Sequence, residues 1–346
     1  MLETSGGRKR SILTRVSTVA IGVAFGIGLL GGVIAQDAAP APYAPGTDPA
    51  TLSGSVAADG SSTTGPLTEA VAEEFAKVAG DVEVTVDISG TGGGFKRFCG
   101  GEIDLANASR KIKDEEAAIC AEAGVEFYAF EVAYDGITIV TNKENNWLNC
   151  MNKEAIKLLW QLENPTQKWN ELNPTFPEDT INLYGPGTDS GTYDYFNEWA
   201  FGKDADGKVI TGRTDYTPSE DDNILVEGVA GDENALAFFG FAYFENNIDK
   251  LNAIAVDGGS GCVVPSADTI RDLSYPLARP LYVYVNAESL TRPEVQEFMR
   301  FYLSNATQLA IEIGFVDSPA DAYISDQAKL EAAIAGTGTP DSTAAE

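Results

Sequence analysis

Apolar residues recur along the chain with two alternating periods. "TLSGSV" (51–56) reads as a short strand, and Leu67, Val71, Phe75 and Val78 then mark one face of a helix. "VEVTVDIS" alternates with a period of two, and "YAFEVAYDGITIVTN" is a long, apolar, β-branched strand candidate. Helix spacing follows in "NKEAIKLLWQL" and "TYDYFNEWAF". "RPLYVYVN" is strand-like again, and "RPEVQEFMRFYLSNATQLAIEIG" repeats its apolar positions over several helical turns. No internal repeat is present. Strands alternating with helices predict α/β layers with a largely parallel sheet. Roughly 285 ordered residues exceed one ordinary doubly wound domain, so two lobes are expected, each a mixed sheet flanked by helices.

The ends of the chain read differently. Arg8, Lys9, Arg10 and Arg15 precede an uncharged run from Val16 to Ala35, which closes on small residues before Gln36-Asp37. Residues 1–35 therefore read as an export signal cleaved near Ala35, with a retained membrane anchor as the alternative. Five glycines in the run weaken the anchor reading. Residues 36–51 hold four prolines among Ala, Gly and Asp and predict a solvated, extended linker. Residues 336–346 predict a disordered tail.

Charge and composition narrow the chemistry. The formal net charge is −29, and cleavage at Ala35 would leave 19 basic against 51 acidic residues. Such a field repels nucleic acid and anionic lipid. The 346 residues include no histidine, which excludes Ser-His-Asp and Cys-His catalysis and histidine-ligated zinc. No metal or other cofactor is implied. Cys99, Cys120, Cys150 and Cys262 show no C-x-x-C spacing, and export makes disulfides permissible; four cysteines allow three pairings.

Four polar, glycine-rich segments sit at apparent strand-to-helix junctions. They are "DGSSTTGPLTEA", "SGTGGGFKRF", "LANASRKI" and "LYGPGTDSGTYDYF". Each alone is ordinary helix capping. The second fits neither phosphate-loop nor dinucleotide-loop spacing. Together they predict something more specific. Helix N-termini offer backbone N–H donors with partial positive charge, and Ser and Thr add donors without adding charge. Converging loops of this kind form a cage for a small oxyanion, to which Arg110 can add a bidentate contact.

The blocks "DGSSTTGPLTEAVAEEFAK", "GTGGGFKRFCGGEIDLANASRKIKDEE", "YDGITIVTNKENNW", "GPGTDSGTYDYF" and "SEDDNILVEGV" resemble, in that order, the periplasmic phosphate-binding proteins of phosphate-specific ABC importers. The resemblance spans about residues 52–334. It implies a two-lobed periplasmic-binding-protein fold of type II, joined by a two-strand hinge, with lobe I formed by 52–134 and 276–335 and lobe II by 135–275. It further implies a monomer outside the cytoplasm that captures inorganic phosphate and delivers it to a membrane permease. The ligand set it implies is Ser62, Thr63, Thr91, Ser109, Ser190, Gly191 and Thr192. Familiar members carry an arginine where this chain has Pro186, and an aspartate where it has Arg110. The charge positions are thus read as exchanged, with Arg110 as the cation and Asp135 as the carboxylate. A carboxylate beside the anion favours a ligand that still carries a proton, which phosphate has near neutral pH and sulfate lacks. The same resemblance implies the pairs Cys99–Cys120 and Cys150–Cys262.

Two other readings compete. One keeps the fold and changes the ligand to sulfate, molybdate or arsenate. The other makes Ser190 the nucleophile of a histidine-free hydrolase, for which "GTDSG" has the wrong elbow spacing and only Lys96 and Lys111 are near enough in sequence to act as base.

Overall fold

The computed structural model describes residues 39–188, 190–205 and 207–343. From the amino terminus, β1 (Gly54–Gly60), α1 (Gly65–Ala76), β2 (Val82–Asp87), α2 (Thr91–Cys99), β3 (Leu105–Ala108) and α3 (Asp114–Glu122) form three strand–helix units. β4 (Phe127–Asn142) runs for 16 residues. It is followed by β5 (Cys150–Asn152), α4 (Lys153–Trp160), α5 (Trp169–Leu172), β6 (Asn182–Gly185), α6 (Gly191–Phe201), β7 (Thr217–Pro218), α7 (Asp222–Ala230), β8 (Ala235–Gly240) and α8 (Phe241–Glu245). The strands β9 (Leu251–Ala253), β10 (Ala255–Asp257) and β11 (Cys262–Val263), helix α9 (Ala267–Arg271), β12 (Ala278–Asn286), α10 (Pro293–Glu312) and α11 (Ala320–Ile334) complete the order.

The pairing explains the sequence pattern. β1 lies parallel between β2 and β3, so its residues from Ala58 onward are buried and "VAADG" lacks a polar alternation. β12 runs antiparallel to both β3 and β4. The first part of β4 pairs with β12, and the second part, from Ile137, pairs with β8 and β9. One strand thus passes through both halves of the sheet, and burial on both faces requires its near-continuous apolar run. Val132, Ala133 and Leu281 belong to one apolar core, with α1 and α10, whereas Ile137, Tyr275 and Leu277 belong to another. The chain therefore crosses between the two cores twice, near Tyr134 and near Ala278. A smaller sheet of β11, β10 and β5 flanks the second core.

The disulfides Cys99–Cys120 and Cys150–Cys262 are formed, as the resemblance implies. The first ties the end of α2 to α3, and the second ties β5 to β11 within the small sheet. Other expectations need correction. Val78 lies beyond α1 and is 41% exposed, because the helix ends at Ala76. The strand in "TLSGSV" begins only at Gly54, after a 3-10 turn over Pro49–Thr51. The proline-rich stretch is largely exposed from residue 41 onward, as expected, but it is anchored to the fold. Glu297 of α10, fully buried, accepts N–H bonds from Gly46 and Thr47 at 3.0 and 2.9 Å and a hydroxyl bond from Tyr43. A buried carboxylate needs such donors, and this stretch supplies them. The described part of the tail is also held. Tyr128 donates to the Gly338 carbonyl, and Asp341 accepts from the Ala129 N–H at 2.7 Å, so β4 finds partners along its open edge. The expected export signal lies outside the described residues. Among those described, no helix is long and apolar enough to cross a membrane.

Asp326 on α11 accepts from the Glu131 N–H at 3.0 Å. Burial, working against attraction from Lys329, pushes its carboxyl up to about 7. An unfolded aspartate titrates near 3.9, so between about pH 4 and pH 7 the folded chain keeps a proton that the unfolded chain has lost. Stability falls as pH rises through that window. Asp326→Asn preserves an acceptor for Glu131 and removes the charge. It is expected to raise the melting temperature by a few degrees at pH 8 and to leave it nearly unchanged at pH 4, as paired melting curves would show.

Candidate functional site

All four polar segments fall at strand-to-helix junctions: β1 to α1, β2 to α2, β3 to α3 and β6 to α6. Ser61, Ser62, Thr63, Ser89 to Gly93, Ser109 and Arg110 line one cleft together with Asp194, Tyr195, Glu198 and Trp199 of α6 and Arg279 of β12. The cleft has a volume of about 710 Å³. Three helices, α1, α2 and α6, begin at its loops.

Each loop is held by its own hydrogen bonds. The buried Ser61 hydroxyl accepts the N–H groups of Thr63 and Thr64 at 3.2 and 3.3 Å, which fixes the first turn ahead of α1. Thr91 and Ser109 share a hydroxyl–hydroxyl bond of 3.2 Å, and Thr91 also accepts the Ser109 N–H. Asp59, fully buried at the end of β1, accepts from the Ser89 N–H, the Ser89 hydroxyl and Arg97. Burial pushes this carboxyl up, but the bonds from Ser89 and Arg97 outweigh it and leave the pKa below the usual value. Gly94 lets α2 approach β1 closely, since a Cβ there would meet the Gly60 Cα at 2.6 Å. Ser190 caps α6, its hydroxyl accepting the Thr192 N–H at 3.1 Å.

The cation at the centre of the site is Arg279, which the sequence reading did not single out. It is the cross-strand partner of Asp135 between β12 and β4, and its Nε donates to Asp135 Oδ2 at 3.0 Å. Its Nη2 donates to the Thr63 hydroxyl and, at 3.4 Å, to the Gly191 carbonyl. The guanidinium lies over the Tyr195 ring at 3.7 Å, and the Tyr195 hydroxyl donates back to the Ala278 carbonyl. Burial raises the Asp135 pKa, with Arg279 opposing it. Asp135 does not line the cleft; Asp194 does. Its surroundings raise the Asp194 pKa, chiefly by desolvation, with the attraction of Arg279 opposing it.

Arg110 lies on the cleft wall but is held by Glu116, with guanidinium–carboxylate contacts of 2.7 and 2.8 Å. Those bonds raise its pKa despite partial burial. Pro186 is buried, and its carbonyl accepts from Tyr216 at 2.6 Å. Five of the nine predicted site residues, Ser62, Thr63, Thr91, Ser109 and Arg110, line the cleft. Ser190, Gly191 and Thr192 do not line it, although Gly191 packs against Ser62 and Thr63, and Asp135 reaches it only through Arg279. Arg279, Asp194 and Glu116 were missed. A lone arginine opening the apolar run "RPLYVYVN", with an aspartate inside a second apolar strand, was the available signal for the central pair.

A family model described as a PBP superfamily domain matches residues 45–306. This chain belongs to the PBP superfamily. Protein SphX of Synechococcus elongatus is 46% identical to this PBP-superfamily chain over 285 residues, covering 82% of the chain and 83% of that protein. The phosphate-binding protein PstS of Staphylococcus saprophyticus is 39% identical over 280 residues, covering 80% of this chain and 85% of its own length. A crystal structure of a possible phosphate binding protein from Planctomyces limnophilus matches with a TM-score of 0.77 and 41% identity, covering 82% of this chain and 99% of that one. These relatives bear out the resemblance drawn from the five sequence blocks. The PBP fold is also what the topology shows: two sheet halves, each flanked by helices, that meet at the cleft.

The two halves already touch. A Cβ on Gly191 would stand 3.0 Å from the Ser62 carbonyl oxygen and 3.1 Å from the Thr63 hydroxyl. Gly191→Ala is therefore expected to wedge the α6 loop away from the α1 loop by a few tenths of an ångström. Anion affinity should fall about tenfold while the melting temperature changes little, which calorimetric titration and a melting curve on the same sample would establish.

Proposed function

We propose that this chain is an extracytoplasmic solute-binding protein that captures inorganic phosphate between two lobes and hands it to the membrane permease of an ABC importer. The observation that carries this reading is the convergence of hydroxyls, helix N-termini and one buried-edge arginine on a single cleft of a histidine-free chain. The names of the relatives support phosphate over other oxyanions. Lobe I comprises residues 52–134 and 276–335, and lobe II residues 135–275, with crossings near Tyr134 and Ala278. The chain acts as a monomer, is exported by residues 1–35, and catalyses no covalent step.

In this reading Ser62, Thr63, Thr91, Ser109, Ser190, Gly191 and Thr192 supply hydroxyl and N–H donors, and Arg110 adds charge at the wall. Arg279 is the principal cation. Its Nη1 has no protein acceptor among the described residues, which leaves donors for the anion. Asp135 acts through Arg279, fixing the plane of the guanidinium. Asp194, on the wall, is the carboxylate that accepts a proton-bearing ligand oxygen and repels a fully deprotonated one.

Titration with phosphate and sulfate at pH 7 tests this reading. The unaltered chain is expected to bind phosphate and not sulfate. Arg279→Ala should weaken phosphate binding at least a hundredfold, since it also strands a buried carboxylate. Asp194→Asn should admit sulfate, and Asp135→Asn should weaken phosphate binding without admitting sulfate. Sulfate uptake by Asp135→Asn instead would return the selecting role to Asp135. Failure of the unaltered chain to bind phosphate would end the proposal.

A further inference from the structure

Arg279 is held at two of its three guanidinium nitrogens and has the third left for the cleft. Nε donates to Asp135 and Nη2 to the Thr63 hydroxyl, so the group can tilt about the line joining those two atoms. Nη1 lies off that line, and a tilt moves it furthest. In-plane hydrogen bonds resist a small tilt weakly, since they tolerate bending well before they fail. A contact on the face of the guanidinium resists it directly.

Tyr195, which lines the cleft, supplies that contact. The guanidinium carbon stands 3.7 Å from its ring centroid, whereas the other cation–ring contacts among the described residues span 4.9 to 5.7 Å. At 3.7 Å the two groups are in van der Waals contact, and no water fits between them. The ring is in turn fixed by its hydroxyl, which donates at 3.0 Å to the carbonyl of Ala278, the residue before Arg279. Burial pushes the pKa of that hydroxyl up, so it stays protonated and brings no negative charge to the cleft.

The same ring relates Arg279 to α6. Gly191 and Tyr195 are about one helical turn apart, and the guanidinium touches both, at the Gly191 carbonyl and the Tyr195 ring. This is the turn of α6 that packs on Ser62 and Thr63 through Gly191. Tyr195 also packs against the second core, a task that leucine would serve as well. Leucine has no aromatic face to offer a guanidinium.

We propose that Tyr195 is a positioning residue for anion capture, its ring holding the Arg279 guanidinium in the plane that presents Nη1 to the cleft. This inference rests on the phosphate reading above and adds the residue through which its principal cation is aimed. Tyr195 acts through Arg279, since its own hydroxyl proton is engaged by Ala278.

The full chain would be titrated calorimetrically with orthophosphate at pH 7, with a melting curve on the same sample. Tyr195→Phe, Tyr195→Leu, Arg279→Lys and the double variant Tyr195→Leu/Arg279→Lys would be treated alike. Tyr195→Leu is expected to weaken binding at least about tenfold. Tyr195→Phe keeps the ring and loses only its bond to Ala278, so affinity should fall by about threefold. Arg279→Lys retains a charge but has no planar face to hold. In that background Tyr195→Leu should weaken binding by less than about threefold more, because contacts that act as a unit are not additive. Equal losses in Tyr195→Phe and Tyr195→Leu would overturn the inference, as would a full tenfold loss added to that of Arg279→Lys. Unweakened binding by Tyr195→Leu would overturn it as well. If Arg279→Lys does not fold, the contrast between Tyr195→Phe and Tyr195→Leu decides alone. Each of these adverse results leaves the phosphate reading standing. If the unaltered chain binds no phosphate, that reading falls and this inference falls with it.

Discussion

The Arg279–Asp135 pair sits where β4 leaves one half of the sheet and enters the other, and most of the site depends on it. Strand register makes the two residues direct neighbours, so the ion pair comes from the backbone pairing and needs no adjustable loop. A carboxylate that is 2% exposed is costly to leave charged without a partner. The same guanidinium reaches Thr63 in the loop before α1 and Gly191 at the start of α6, and Tyr195 covers its face. One side chain thus joins both β strands that cross between the cores and both loops that face each other over the cleft. Removing it would leave a buried anion and unlink the two walls at once.

The surrounding helices are fixed from their far ends as well. The Cys99–Cys120 disulfide joins the last residue of α2 to α3, and Glu116 lies one turn before Cys120 on that helix. The N-terminus of α2, carrying Thr91, and the Glu116–Arg110 pair on α3 are therefore referred to a common point. Asp59 does similar work from β1, tying Ser89 and Arg97 to the strand's end. Preorganisation of this kind lowers the ordering cost of binding a small anion, which offers too few contacts to order a mobile loop by itself.

The loops were legible in the sequence because their signals are local. Ser, Thr and Gly between an apolar strand and an amphipathic helix mark a helix N-terminus wherever the fold places it, and all four such segments proved to be junctions. The long helix at Pro293–Glu312 and the strand at Phe127–Asn142 were legible for the same reason. Arg279 was not, because its partner is 144 residues away and only β12–β4 pairing brings them together. Arg110 illustrates the reverse error. Its position beside Ser109 suggested the principal cation, yet Glu116, six residues on, already occupies its guanidinium. Composition told only part of the story at the ends. Proline and small residues rightly suggested exposure but not anchoring: a buried Glu297 takes backbone N–H groups from the first segment, and Asp341 of the second accepts from the open edge of β4.

Those docked ends carry a mechanical consequence. Residues 41–47 are bonded to α10 and α11, and residues 338–342 to the start of β4 and its surroundings, all around the core that contains Val132 and Leu281. The other core is an insert between two strand crossings and carries neither described end. Any tether, tag or surface linkage made through the termini therefore grips one half of the molecule only. Rotation of the inserted half would leave a terminal probe stationary, and a probe meant to follow it has to be placed between Ile137 and Tyr275.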